Sequence, residues 1–190
     1  MDLMQGVEFS HWLFNNYLDK HDILIDATCG NGKDTLFLAN KLNSEGKLYA
    51  FDIQKEAIEN TKHKVKVNTL KGNINYINDG HENMDEYVDE SVDGIIYNLG
   101  FLPGSNKDIK TEKDTTITSL NKSLDLLNVG GLIVAVIYSE HEGGFDEKEA
   151  VLNFARKLNY KKYNVLHYHF INQKKTPPEV IAIKKRNGVK

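Results

Sequence analysis

Short, almost continuously apolar runs alternate along this chain with longer stretches of helical periodicity. The apolar runs lie at residues 22–27, 47–52, 74–77, 92–98 and 132–138. Apolar residues recur at helical spacing in residues 34–42, 54–69, 115–127 and 147–158, and Gly130 and Gly131 are expected to close the third of these helices. Continuously apolar strands are typical of sheets covered on both faces. The alternation therefore predicts an α/β protein with a mostly parallel sheet.

Two further strands are expected at residues 163–170 and 180–185, and they differ from the rest in their connection. The connector contains Thr176, Pro177 and Pro178, and proline cannot donate to a strand ladder. It is also too short for a crossover helix, so these strands should be antiparallel neighbours. The prediction is a Rossmann-like, doubly wound, seven-stranded sheet, mostly parallel, with an antiparallel last strand.

The size of the chain, 190 residues, fits one domain, with residues 1–20 as a helical extension around a helix at 9–18. No apolar run is long enough to cross a bilayer, and the first residues lack the pattern of a signal peptide. The single cysteine, Cys29, excludes an internal disulfide and is expected to be a packing residue. We therefore expect a cytoplasmic protein with no membrane contact, and the sequence leaves a homodimer open.

Charge is unevenly distributed along the chain, although the net charge is only −3. Residues 1–155 hold 14 Lys and Arg against 26 Asp and Glu, whereas residues 156–190 hold 10 against one. A basic end on an acidic body favours an anionic partner such as nucleic acid, with a merely solvated strand face as the alternative. The candidate RNA-binding residues are Lys174, Lys175, Lys184 and Lys185.

The turn between the first strand and the first helix carries the strongest functional signal. It begins at Asp26 and contains Gly30 and Gly32. Glycines there let the backbone approach a ligand, and the helix start offers free N–H groups. A dinucleotide fingerprint would need a third glycine near Thr35, which weakens a hydride-transfer interpretation. An acidic residue at the start of the loop suits a ligand with an amino group; alternatively, Asp26 only orients the loop.

Three further segments follow later strands in a fixed order: Asp52, then Asp79, then the segment from Asn98 to Gly104. Together with Asp26 and the Gly-x-Gly pair, this order resembles the class I S-adenosylmethionine-dependent methyltransferases. The resemblance implies that fold, with S-adenosylmethionine as cofactor. It implies that Asp52 contacts the ribose, with Gln54 within reach of the same sugar or of the base. It also places Asp79 at the adenine amino group, with His81 stacked beside the adenine. The residues it places near the methionyl end are Asn31, Lys33 and Asp34, for which helix capping is the alternative.

A narrower resemblance rests on the loop from Asp26 to Thr35, the segment from Asn98 to Gly104, and the motifs Asn172-Gln173-Lys174 and Pro177-Pro178-Glu179. These are similar to the small family long labelled putative rRNA methylases. Members of that family are understood to methylate the 5-aminomethyl group of 2-thiouridine at the tRNA wobble position. The resemblance therefore implies tRNA, through its anticodon region, as the partner.

Asn98 is the candidate for the reacting centre, with Tyr138 and His141 as helpers or, equally, as packing residues. Methyl transfer is an in-line displacement, so catalysis is largely positioning, and an acceptor amine must lose a proton. Methylation of rRNA or a small metabolite, a non-catalytic RNA-binding module and an NAD-dependent enzyme are the alternatives. His167 and His169 alternate on one strand as a metal pair would, but no third ligand suggests itself. Surface histidines near RNA are the preferred interpretation, and no metal is expected.

Overall fold

A computed structural model describes residues 2–68, 73–101 and 110–187. The strands are β1 (Ile23–Asp26), β2 (Lys47–Phe51), β3 (Asn73–Ile77), β4 (Val92–Leu99), β5 (Leu127–Ile137), β6 (Tyr163–Tyr168) and β7 (Glu179–Lys185). The helices are α1 (Gly6–Tyr17), α2 (Lys33–Lys41), α3 (Lys55–Asn68), α4 (Lys113–Leu126) and α5 (Gly144–Lys157), with a 3₁₀ helix at His81–Glu86. Within these described residues, no helix is both long enough and apolar enough to cross a membrane.

The strands form one seven-stranded sheet in the order β3-β2-β1-β4-β5-β7-β6. β7 is antiparallel to both of its neighbours, and the pairs among β1 to β5 are parallel. This confirms the predicted doubly wound sheet with one reversed strand. The chain order changes direction between β1 and β4, and in such sheets ligands bind outside the carboxyl ends of the strands at that point.

Helices cover both faces of the sheet, because nearly every strand residue in its centre is apolar. On one face Leu120 of α4 and Val151 of α5 pack against the sheet together with Met84 of the 3₁₀ helix. On the other face Phe14 of α1 and Leu38 of α2 form a second core. The sheet therefore has two buried faces, and its polar side chains collect at the strand ends.

β5 begins earlier than the sequence predicts. Gly130 and Gly131 were expected to end the preceding helix, but both lie inside β5, which starts at Leu127. Gly130 has a φ of 85°, and the register with β4 shifts between Val92 and Gly94. A positive φ suits a helix end and a strand irregularity alike, so the glycine pair alone did not distinguish them.

The N-terminal helix is found at Gly6–Tyr17, close to the predicted residues 9–18. Glu8 Oε2 accepts a hydrogen bond from the Gln5 backbone N–H at 3.1 Å, which satisfies one free donor at the helix start. The buried side chains of Leu13 and Phe14 fix α1 against the sheet. This places His11 against α2, where its ring stacks on Phe37 with centroids 3.8 Å apart.

Candidate active site

The loop between β1 and α2 depends on its two glycines. Gly30 and Gly32 have φ values of 49° and 71°, a region that L-residues rarely adopt. A Cβ on Gly32 would lie 2.8 Å from Thr61 Oγ1 and 2.9 Å from Thr61 Cα. Thr61 Oγ1 also donates to the Gly30 carbonyl at 3.0 Å. Close packing on α3 therefore requires glycine at position 32 and holds the loop at the carboxyl end of β1.

Asp26 lies fully buried beneath this loop. Its Oδ2 accepts from Thr35 Oγ1 at 2.6 Å, and its Oδ1 accepts from the Thr28 backbone N–H at 3.2 Å. Burial, and secondly the charge of Asp34, raise the pKa of Asp26. Both carboxylate oxygens thus bond to the loop itself, and no part of Asp26 is exposed at the surface. The loop-orienting role fits this geometry, and a contact with a ligand amino group stays a prediction.

Asp52 connects the ends of β1 and β2. Its Oδ2 accepts from the Gly30 N–H and its Oδ1 from the Gln54 N–H, both at 2.9 Å. Burial raises the pKa of this carboxyl group. Each carboxylate oxygen keeps a second acceptor site after one hydrogen bond. The arrangement can therefore hold a ribose diol beside the glycine loop, with Gln54 half-buried next to it.

Asp79 and His81 follow β3, but only Asp79 is accessible. Asp79 accepts from Tyr87 Oη at 2.7 Å and from Asn83 Nδ2 at 3.1 Å, and the Tyr87 bond is the main cause of its lowered pKa. The His81 ring is 7% exposed and meets Tyr97 edge to face at 5.7 Å. Burial lowers the pKa of His81 to about 4. The His81 ring thus packs toward the core, and its contact with an adenine stays a prediction.

Asn98 lies at the end of β4 in a chain of polar contacts. Its backbone N–H donates to Thr28 Oγ1 at 2.6 Å, and its Nδ2 donates to Asp34 Oδ2. Asp34 Oδ1 lies 2.5 Å from His11 Nε2. Because a carboxylate only accepts hydrogen bonds, the amide N–H must face Asp34, which leaves the Asn98 carbonyl oxygen as the acceptor for another group. Asp34 is thus the link between the helices α1 and α2 and the end of β4.

Tyr138 and His141 meet at the same edge, beside Gly100. The Tyr138 N–H donates to the Leu99 carbonyl at 3.0 Å. A Cβ on Gly100 would lie 3.4 Å from Tyr138 Cβ and 3.8 Å from His141 Nε2. Burial, and secondly the charge of Asp34, raise the pKa of Tyr138, so its phenol stays protonated. The structure therefore brings both predicted helpers to the end of β4, whereas Leu102, Pro103 and Gly104 of the motif lie outside the described residues.

Three other residues of the loop have simpler surroundings. Lys33 is exposed at the start of α2, and Asn31 is half-buried before it. Their roles at a cofactor stay predictions, supported by the free N–H groups of the helix start. Cys29 is buried between Ala50 and Ile58, and burial raises the pKa of its thiol, so it is a packing residue as expected.

Of the four lysines in the basic C-terminal segment, two lie before the start of β7 and two lie at its last residues. Lys174 and Lys175 are exposed on the connector before β7. Lys184 lies over the Tyr17 ring at 4.8 Å, and Lys185 Nζ donates to the carbonyls of Leu124 at 3.1 Å and Leu127 at 2.6 Å. Both belong to the end of β7 remote from Asn98, and Lys185 closes the end of α4. The four lysines therefore do not form a single group, and their roles in RNA binding stay predictions.

Three further polar residues were not among the predicted site residues: His11 and two buried acids, Glu147 and Glu179. Glu147 accepts from Thr111 Oγ1 at 2.9 Å and from Thr116 Oγ1 at 2.6 Å, which ties α5 to α4 and the chain before it. Glu179 lies 2.7 Å from His167 Nε2. No local sequence pattern marks His11, because its position depends on how α1 packs on α2. Glu179 was visible as the one acidic residue of the basic end.

Comparisons with known proteins agree with this geometry. Residues 48–184 match the family described as “Putative rRNA methylase”. An Arabidopsis thaliana protein named “tRNA (mnm(5)s(2)U34)-methyltransferase, chloroplastic” is 35% identical over 193 residues, covering 96% of this chain and 70% of that protein.

Two solved structures are also similar over nearly the whole chain. A putative rRNA-methylase from Clostridium thermocellum is 40% identical with a TM-score of 0.94, covering 97% of this chain and 100% of the other. A putative methyltransferase from Streptococcus mutans in complex with SAH is 38% identical with a TM-score of 0.88, covering 97% and 99%.

The residues of this site fit the cofactor that these comparisons imply. The glycine loop leaves room for close backbone approach, Asp52 offers acceptors for a ribose, and Asp79 offers an accessible carboxylate after β3. The chain thus belongs to the family described as putative rRNA methylases, and it is an S-adenosylmethionine-dependent methyltransferase.

Proposed function

We propose that the enzyme methylates the primary amine of 5-aminomethyl-2-thiouridine at the wobble position of tRNA. The name of the Arabidopsis relative supports this substrate. The observation that carries the proposal is the contact chain from Asn98 through Asp34 to His11, which combines a hydrogen-bond acceptor with a carboxylate at the end of β4. An amine acceptor requires both, because it must be oriented and must also lose a proton.

S-adenosylmethionine, when bound, supplies a methyl group on a positively charged sulfur. An ammonium ion has no lone pair, so the substrate amine must react in its neutral form. The Asn98 carbonyl oxygen accepts a hydrogen bond from this amine and directs the nitrogen lone pair at the methyl group. When the nitrogen gains the methyl it becomes cationic and releases one proton, which the Asp34 carboxylate takes up. His11 holds the other oxygen of Asp34 and fixes its orientation.

Tyr138 and His141 have different roles in this proposal. The Tyr138 phenol stays protonated, so it acts as a donor, suited to a carbonyl oxygen of the uracil ring. His141 Nε2 is buried and has no hydrogen-bond partner in the part of the chain that the structure describes. It is the second candidate for the proton acceptor, and mutagenesis distinguishes it from Asp34.

Replacing Asp34 by asparagine keeps the shape and removes the proton acceptor. We expect kcat to fall by about 10²-fold or more. The affinity for S-adenosylmethionine is measured beside it by calorimetry, because Asp34 is also predicted to lie near the methionyl end of the cofactor. His11→Gln should lower kcat less, and His141→Gln should leave it within a few-fold of the wild type. A full loss in His141→Gln with near-normal Asp34→Asn turnover would transfer the role to His141.

For the partner we propose the anticodon region of tRNA, bound beside Lys174 and Lys175. Two aromatic rings of α1 and one of β6 form a row. Phe9 stacks on Tyr168 with ring centroids 4.3 Å apart and on Trp12 with ring centroids 5.9 Å apart. Trp12 is 42% exposed. Exposed rings of this kind bind unstacked bases, and lysines bind the phosphates between them.

The substrate is tested with purified enzyme and labelled cofactor. Three RNAs are compared: an anticodon stem-loop with 5-aminomethyl-2-thiouridine, the same stem-loop with plain uridine, and ribosomal RNA. Nucleoside mass spectrometry should detect one added methyl only on the aminomethyl stem-loop. Methylation of ribosomal RNA, or of the plain uridine, would overturn the proposed substrate.

Two further proposals complete the assignment, and the oligomeric state is left to measurement. We propose that residues 1–190 act as one domain, with residues 1–20 as its helical extension, and that the enzyme works in the cytoplasm. Light scattering after size exclusion distinguishes a monomer from the homodimer that the sequence leaves open. Fluorescent tagging in cells tests the location, which matters because the Arabidopsis relative is named chloroplastic.

A further inference from the structure

Three side chains form a cluster where the last two strands meet their connector: His167 near the end of β6, His169 just after β6, and Glu179 at the start of β7. None of them belongs to the proposed catalytic residues. His167 and His169 are two residues apart on the chain, so they share one face of the sheet. His167 pairs with Ile181, and Glu179 lies two residues before Ile181 on β7, on that same face. One ligand atom from each of the three side chains lies within 4.8 Å of the other two.

The contacts within this cluster are short and converge on the carboxylate. His167 Nε2 lies 2.7 Å from Glu179 Oε2, and His169 Nδ1 lies 3.3 Å from Glu179 Oε1. The two imidazole rings stack with centroids 5.7 Å apart. Glu179 is 3% exposed, whereas the two imidazoles keep 37% and 34% of their side-chain surface in solvent. The carboxylate is therefore fixed inside, and both imidazoles are open to an entering ion.

Two imidazole nitrogens and one carboxylate oxygen are a donor set that suits Zn²⁺. A tetrahedral Zn²⁺ about 2.0–2.1 Å from each ligand atom would hold those atoms about 3.3 Å apart. His167 Nε2 now lies 2.7 Å from Glu179 Oε2, closer than that value, and His169 Nδ1 lies 3.3 Å from the other oxygen, Glu179 Oε1, at that value. Rotation of these side chains is needed to bring both nitrogens around an ion held by one carboxylate oxygen, and the three ligand atoms already lie within 4.8 Å of one another. The fourth position would face solvent and take a water molecule.

Lys148 supplies the outer contact that such a site needs. Its Nζ lies 3.2 Å from Glu179 Oε1 and orients the carboxylate from α5. Outer partners of this kind fix a ligand before the ion arrives. The competing interpretation is an ion-pair network of Lys148, Glu179 and protonated imidazoles with no metal. The two interpretations differ in whether a divalent ion binds at all.

We propose that His167, His169 and Glu179 bind one divalent transition-metal ion, with Zn²⁺ as the best match. The ion joins the end of β6 to the start of β7. It thereby fixes both ends of the connector that carries Lys174 and Lys175. Nothing in this site depends on the identity of the methyl acceptor.

Untagged protein, stripped with a chelator, is titrated with Zn²⁺ in competition with a chromophoric indicator. We expect one ion per chain, and His167→Gln and His169→Gln should each weaken binding at least about tenfold. His21→Gln is the matched control, because His21 forms a surface pair with Glu45 at 2.8 Å and belongs to no such cluster among the described residues. It should bind as the wild type does.

Thermal unfolding gives a second readout, because an ion that binds only the folded state raises the melting temperature. Zn²⁺ should raise it in the wild type and in His21→Gln, and not in His169→Gln. Absence of binding to the wild type would overturn the proposal and leave the ion-pair network. Binding that both cluster variants retain would overturn it as well, because the ion would then lie elsewhere.

Discussion

Replacing Gly32 by alanine tests how the cofactor loop is built, and the structure allows the cost to be worked out. The backbone there has a φ of 71°, which costs an alanine about 1–2 kcal/mol. The added Cβ also meets Thr61 Oγ1 at 2.8 Å and Thr61 Cα at 2.9 Å. Since Cα is backbone, no side-chain rotation relieves the contact, and overpacking adds about 1–3 kcal/mol. We expect a loss of about 2–5 kcal/mol in the free energy of unfolding.

Gly130→Ala is the matched control for this substitution. Gly130 has a φ of 85°, but the nearest atom to an added Cβ is Asn187 Oδ1 at 3.7 Å, an ordinary contact. Gly130→Ala should therefore lower the free energy of unfolding only by the backbone cost of a positive φ, about 1–2 kcal/mol. The difference between the two variants, measured by urea unfolding, isolates the contact with Thr61.

The same pair of variants separates stability from cofactor binding. If the Gly32→Ala loop moves away from Thr61, the Gly30 N–H leaves Asp52 Oδ2, which is 2.9 Å away in the native loop. The affinity for S-adenosylmethionine, measured by calorimetry, should then fall at least about tenfold, equivalent to about 1.4 kcal/mol. Gly130→Ala should bind normally. Equal stability and equal affinity in both variants would refute the packing argument.

Four other outcomes follow from the contacts described above. Asp52→Ala should weaken S-adenosylmethionine binding in calorimetry, and unchanged affinity would contradict the ribose assignment. The pKa of His81 is lowered to about 4 by burial, so the unfolded chain binds a proton between pH 6.5 and 4 that the folded chain does not. Stability should therefore fall by about 3 kcal/mol as the pH drops through that range, and urea unfolding of His81→Leu should lack this loss. Replacing Lys174 and Lys175 by methionine should reduce RNA affinity and its salt dependence in filter binding. Lys185→Met should leave RNA binding intact and lower the free energy of unfolding by about 1–3 kcal/mol, because two carbonyls lose a charged donor.

The sheet could be predicted from the sequence because its signals are local. Apolar runs bounded by glycine, asparagine and aspartate mark the strands, and the short connector with Pro177 and Pro178 predicted the antiparallel pair that the structure confirms. The predicted start of β5 was wrong, because Gly130 fits a helix end and a strand irregularity equally well.

The candidate site was only partly predictable, because several of its contacts come from distant segments. The order of Gly30, Gly32, Asp52 and Asp79 follows from the strand ends, and these positions can be read from the chain. His11 reaches Asp34 only through the packing of α1 on α2. Formal charge likewise does not reveal that Lys185 is engaged with carbonyl oxygens, and residue type does not reveal that His81 faces the core.

The position of β7 has a consequence for how the sheet can assemble. β7 is the latest strand in chain order among the described residues, yet it lies between β5 and β6. Until it inserts, β6 has no neighbour in the sheet, and the apolar run of β5 presents an open edge of the kind that pairs with other chains. Because β7 must join strands made earlier, the sheet closes only after the segment from Glu179 to Lys185 has been synthesised. A ribosome-bound chain stopped before Glu179 should therefore be prone to aggregation.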